Sequence, residues 1–98
     1  MVALEPVIGS ETGKTRPCLV VSPDEMNVVA PTLIVAPLTT KLRSYPTRVD
    51  AHIGGQINQV MTEQIRVVSR DRILSRLEVA DSDLTNRVLD RLQELFAP

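Results

Sequence analysis

Aromatic residues are almost missing from this chain: its 98 residues hold one tyrosine (Tyr45), one phenylalanine (Phe96) and no tryptophan. Any core is therefore aliphatic, built from valine, isoleucine and leucine. The single cysteine, Cys18, excludes an internal disulfide and fits a reducing, cytoplasmic setting. Lying between Pro17 and Leu19, it reads as a small buried core residue. There is no Cys/His cluster and no paired-carboxylate pattern, so neither a metal nor another cofactor is expected. The one histidine, His52, falls on the polar side of an alternating segment and reads as an exposed strand residue. No run approaches the roughly 18 consecutive apolar residues of a membrane span. Nor does the chain open with a basic segment followed by an apolar one, so no membrane association is expected.

What is present is one domain's worth of chain, 43% apolar. A small aliphatic core is marginal alone, which predicts self-association. The net charge of −1 conceals an asymmetry. Residues 1–77 carry nine Lys/Arg against seven Asp/Glu, whereas residues 78–98 carry two against five. Nine of the eleven cations are arginine, whose planar fork suits phosphate.

Strand signals fill the first three quarters. Pro17–Ser22 and Thr32–Leu38 are short apolar runs bounded by turn formers, and Pro23–Pro31 between them reads as a turn and irregular loop. Thr47–Ile53 alternates, with Val49, Ala51 and Ile53 on one face, and Gly54–Gly55 follow as a turn. Gln59–Val68 reads as one further strand, Ser69–Ile73 as a helical turn capped by Ser69, and Arg76–Val79 as a last short strand. From Asp83 to Phe96, Leu84, Val88 and Leu92 repeat at helical spacing, with Asp81 or Ser82 as the cap. Several short strands followed by one helix predict a mainly β domain: a small, strongly bent sheet or barrel with a helix packed on it.

The segment GSETGKT (9–15) invites comparison with a phosphate-binding loop. The spacing G-x-x-x-x-G-K-[ST] needs a glycine where Ile8 stands, and Pro17 opens a strand where a helix should begin, so the match fails. Polar residues then remain at strand ends and loops: Glu11, Arg16, Thr39, Thr40, Lys41, Arg43, Gln64 and Arg66. Each has an ordinary reading as a strand terminator or a solvated charge, and Arg66 has Glu63 and Asp71 nearby as ion-pair partners.

Taken together the blocks are distinctive. G-S-E-x-x-x-x-R-P (Gly9–Pro17) runs into an apolar strand; V-A-P-L-T-T (Val35–Thr40) is followed by Tyr45–Pro46; E-Q-I-R (Glu63–Arg66) precedes the closing amphipathic helix. In this order they resemble the MazF/PemK toxin family, over nearly the whole chain. The resemblance implies an SH3-like barrel of the plasmid-toxin or CcdB-like kind, with a C-terminal helix and a homodimeric assembly. It implies a metal-independent endoribonuclease of a type II toxin–antitoxin pair, cutting single-stranded mRNA at short sequences and arresting growth. The implied partner is a cognate antitoxin whose disordered acidic tail covers the RNA groove. Mapped by motif, Arg16 and Thr39 form the catalytic pair with Glu11 beside them, while Thr40, Lys41, Arg43 and Gln64 become RNA contacts.

The chemistry suits these residues. Attack of a 2′-OH on its own phosphorus needs a proton acceptor, stabilisation of the phosphorane charge, and a donor for the leaving 5′-oxygen. Arg16 and Thr39 supply the charge and a hydrogen bond. Arginine is a poor base, with a pKa above about 12, so Glu11 and Arg16 both stay open as the proton acceptor. With so few aromatics, stacking on bases is expected to contribute little. Compared with relatives the chain opens late, and most of a first strand is expected to be missing. Two rival readings share the fold: a CcdB-like gyrase poison acting through its C-terminal residues, and a catalytically weakened module that only binds antitoxin.

Overall fold

The computed structural model describes residues 6–11, 15–70, 73–79 and 81–98; for 6–11, 15–16 and 73–79 it gives the backbone alone. Seven strands and two helices are present among them: β1 (Pro6–Glu11), β2 (Thr15–Val20), α1 (Asp24–Val29), β3 (Thr32–Thr39), β4 (Arg48–Ile53), β5 (Gln56–Met61), β6 (Arg66–Ser69), β7 (Ile73–Val79) and α2 (Ser82–Phe96). The strands form one antiparallel sheet in the order β4-β5-β3-β2-β1-β7, with β6 also paired to β3. This is the mainly β architecture with a C-terminal helix that the pattern predicts.

Strands β2 and β3 lie in the middle of the sheet and bury both faces. Leu19, Ala36 and Leu38 join Val49, Ala51, Val60, Leu84 and Val88 in one cluster, while Cys18, Val20, Leu33, Val35 and Val68 form a second. Two-sided burial explains why PCLVVS and TLIVAPL are runs of apolar residues rather than alternations. By contrast β4, with one buried face, keeps Val49 and Ala51 inside and Asp50 and His52 exposed. The β4–β5 hairpin closes on Gly54 (φ 61°) and Gly55 (φ 76°), two left-handed positions that favour glycine and match the twist of the strands.

Three expectations need correction. Residues 24–29 are helical, not irregular. A buried hydrogen-bonded pair holds that turn: Ser22 Oγ donates to Asn27 Oδ1 and Asn27 Nδ2 donates to the Ser22 carbonyl at 2.9 Å. The predicted single strand 59–68 is two strands, β5 and β6, separated by a 3₁₀ turn at Thr62–Gln64. Leu38 and Thr39 pair with Val60 and Gln59, whereas Thr32–Val35 pair with Ser69–Arg66, so the register along β3 steps by three residues. The turn takes up that excess. Ser69 closes β6 and Ile73 opens β7, so a helical turn is confined to the residues between, of which only Arg70 is described. Pro6–Glu11 form β1, paired to β2 along one edge and to β7 along the other.

Helix α2 begins as predicted at its cap, Asp81 Oδ1 accepting the Leu84 N–H at 2.7 Å. Leu84 and Val88 are buried in the first cluster, with Leu92 packed against it. Along one flank of that apolar stripe, Arg87 donates to the Asp50 carbonyl (2.9 Å) and Arg91 to that of Pro46. The helix thereby braces the segment between β3 and β4.

Candidate functional site

The site grows from the end of β3. Thr39 is the last residue of that strand, is half-buried, and pairs with Gln59 of β5. Its Oγ1 accepts the Lys41 N–H at 3.0 Å, turning the chain out of the sheet. On its other edge β3 pairs with β2 at Val35–Val20, Ala36–Leu19 and Pro37–Cys18. Arg16 and Thr39 each lie two residues beyond the Cys18–Pro37 pair, near the ends of these two adjacent strands. Arg16 lies opposite Ser10 of β1, and Glu11 ends β1 opposite Thr15 across the hairpin. The side chains of Arg16 and Glu11 lie outside the described residues.

Beyond Thr39, residues 40–47 form an irregular loop with no acidic residue, in which Thr40, Lys41 and Arg43 are all exposed. Four of the predicted positions, Thr39, Thr40, Lys41 and Arg43, therefore occupy one strand end and the loop that follows. Gln64 is exposed on the 3₁₀ turn, which faces the middle of β3 rather than its end.

The loop is tied down by residues the sequence reading passed over. Gln59, 7% exposed, uses every hydrogen-bonding position of its amide. Its Oε1 accepts the Arg43 N–H (2.9 Å) and Arg48 Nη1 (3.3 Å); its Nε2 donates to the Arg43 carbonyl and to Asp50 Oδ1, both at 3.1 Å. Arg48 Nε in turn donates to Glu63 Oε2 at 2.8 Å, and Thr47 Oγ1 donates to Glu63 Oε1 at 2.8 Å. Thr62, fully buried, donates its hydroxyl to the Thr47 carbonyl. Glu63 thus bonds to Arg48, fifteen residues away, rather than to Arg66. Partial burial pushes the Glu63 carboxyl up, but hydrogen bonds from Thr47, its own backbone and Arg48, with the Arg48 charge, outweigh this and hold its pKa below the ordinary 4.5. Gln59 and Arg48 carry no local signature; only the strand register reveals what they reach.

A cleft of about 380 Å³ between β4 and α2 is lined by Arg48, Asp50, Arg87, Asp90, Arg91 and Glu94. Its three cations face three anions. It offers no net positive charge for a polyanion, unlike the 40–47 loop. Among the described residues no group of histidine, cysteine and carboxylates is placed to hold a metal, and no helix is long and apolar enough to cross a membrane.

Residues 1–96 match the family model for the PemK-like, MazF-like toxin of type II toxin–antitoxin systems. The chain is 35% identical over 96 residues to endoribonuclease EndoA of Bacillus subtilis strain 168, covering 92% of this chain and 83% of that protein. It is 32% identical over 80 residues to endoribonuclease MazF of Staphylococcus saprophyticus, covering 76% of this chain and 67% of that protein. The crystal structure of MazE–MazF (Form-II) from Deinococcus radiodurans superimposes with a TM-score of 0.81 at 30% identity, over 96% of this chain and 92% of that one.

Proposed function

This chain belongs to the PemK-like, MazF-like toxin family of type II toxin–antitoxin systems, and we propose that it is a sequence-specific, metal-independent endoribonuclease that cuts single-stranded mRNA. The observation that supports the reading is that Thr39 ends β3 beside β2, the strand that bears Arg16, at the start of a loop with two exposed cations and no carboxylate. In this reading the 2′-oxygen attacks phosphorus, the bond to the 5′-oxygen breaks, and the products are a 2′,3′-cyclic phosphate and a 5′-hydroxyl end. Arg16 neutralises the phosphorane oxygens with a planar fork, and Thr39 donates a hydrogen bond to them. The 2′-proton passes to Glu11, or to Arg16 if its guanidine starts neutral and becomes the cation in this step, and the group so protonated returns a proton to the 5′-oxygen. Thr40, Lys41 and Arg43 hold flanking phosphates and bases, and Gln64 contacts the strand further along β3.

The similarity to a toxin crystallised with its antitoxin supports a cognate antitoxin as partner; in this reading the partner's disordered acidic tail lies over the same cationic loop. We also assign a homodimer to the active form, in keeping with the small aliphatic core. The test is incubation of the purified protein with a long single-stranded RNA in EDTA, followed by mapping of the cut ends. Cleavage at a short recurring sequence, leaving 5′-hydroxyl ends, is expected. Intact RNA, together with inhibited gyrase supercoiling, would instead make the protein a gyrase poison.

A further inference from the structure

Tyr45, the only tyrosine, stands on the 40–47 loop with 52% of its surface exposed. One face of its ring is occupied: the Arg48 guanidinium carbon lies 4.9 Å from the ring centroid. That guanidinium is not a loose surface cation. Its side chain is 7% exposed and is fixed by Glu63 Oε2 at 2.8 Å and Gln59 Oε1 at 3.3 Å. The backbone keeps the two together, because the Arg48 N–H donates to the Tyr45 carbonyl at 3.1 Å. Chain on either side is anchored too, at Arg43 by Gln59 and at Pro46 and Thr47 by Arg91 and Thr62.

The ring is therefore a rigid plate with a cation behind it and water in front. A buried guanidinium cannot reach a phosphate in solvent; what it provides is a fixed floor for the ring. The open face can take another flat π-system at little entropic cost, since neither side chain has to be ordered on binding. The neighbouring exposed groups, Lys41 and Arg43, suit the phosphates of the same ligand. We propose that Tyr45, backed by Arg48, is the stacking shelf for one unpaired base of the RNA substrate. This rests on the nuclease reading above, and it revises the expectation that stacking contributes little. Scarcity of aromatics limits the number of shelves to one in this loop without weakening that one. Tyr45 is the binding residue; Arg48 is a positioning residue.

The chain carries its own reporter. With no tryptophan and a single tyrosine, its near-ultraviolet fluorescence comes from this ring alone. A short single-stranded RNA spanning a mapped cut site, with 2′-fluoro groups in place of the attacking hydroxyls, is titrated into the wild-type protein while tyrosine emission is followed. Saturable quenching is expected, and abasic substitution at one position of the oligonucleotide should remove the quench and weaken binding about tenfold. Tyr45→Phe should bind as tightly as wild type. Tyr45→Leu, with an unchanged circular dichroism spectrum, should bind about tenfold more weakly. Unmodified RNA that is cut normally, with no quench and with Tyr45→Leu binding like wild type, overturns the shelf and leaves the nuclease reading standing. Wild-type protein that neither cuts nor binds RNA overturns both.

Discussion

Gln59 grips Arg43 by both sides of its peptide, accepting its N–H at 2.9 Å and donating to its carbonyl at 3.1 Å. One side-chain amide thereby reproduces the two-bond exchange of an antiparallel strand pair at a place where no strand continues. Because Gln59 also pairs with Thr39 through its backbone, the strand end and the middle of the loop are set by the same residue. Gln59→Met, which keeps the length but removes the amide, should cost about 1–3 kcal/mol by stranding Asp50 and Arg48 contacts in a half-dry setting. Denaturant unfolding measures the loss. Hydrogen exchange should place its local effect at the Arg43 amide, and unchanged protection there would disprove the clamp.

Arg16→Ala and Thr39→Ala should each lower the cleavage rate by at least about 10²–10³-fold, the scale expected when one preorganised transition-state donor is removed. Thr39→Ser, which keeps the hydroxyl, should stay closer to wild type than Thr39→Ala. Initial rates on a short RNA, with circular dichroism to confirm folding, provide the check. An Arg16→Ala protein that cuts at the wild-type rate would refute the assigned centre.

Glu63 makes stability depend on pH in one direction. Its carboxyl titrates lower in the folded chain than its ordinary 4.5, so the ionised form favours the fold. That contribution is complete above about pH 4.5 and disappears as pH falls through the lower folded value. Glu63→Gln should therefore melt below wild type at neutral pH, with the gap closing as the solution is acidified below pH 4.5. Thermal melts across that range decide it; a gap that is constant with pH would remove the charge from the explanation.

Two substitutions on α2 separate capping from packing. Asp81→Ala removes the acceptor for the Leu84 N–H and should cost about 1 kcal/mol. Leu84→Ala opens a cavity in the main cluster and should cost about 2–5 kcal/mol. Equal losses in urea unfolding would contradict this division.

The sequence made some of this plain and hid the rest for physical reasons. The stripe Leu84–Val88–Leu92 announces α2 because one face of that helix meets the core, and the start falls within a residue of the observed Ser82. Helix α1 escapes notice because Val28 and Val29 point outward, 77% and 80% exposed, and the turn is held by a tertiary bond to Ser22 instead of an apolar stripe. Residues 59–68 read as one strand since every residue suits a strand; the break comes from Thr62 bonding a carbonyl fifteen residues earlier. At the site, motif order singles out Thr39, Thr40, Lys41 and Arg43, which do share a strand end and loop. The polar frame beneath them, Gln59, Arg48 and Glu63, is composed of ordinary strand and turn residues whose pairing depends wholly on register.

The change of partners along β3 has a consequence for biosynthesis. One edge of that strand is satisfied by residues 59–60 and 66–69, which leave the ribosome well after β3 itself. Until they emerge, the edge is open and the loop bearing Lys41 and Arg43 lacks the amide that fixes it. A nascent chain has no finished cutting surface until those residues have emerged, so the cell gains an interval in which a partner already present can meet the growing polypeptide before it is able to do harm.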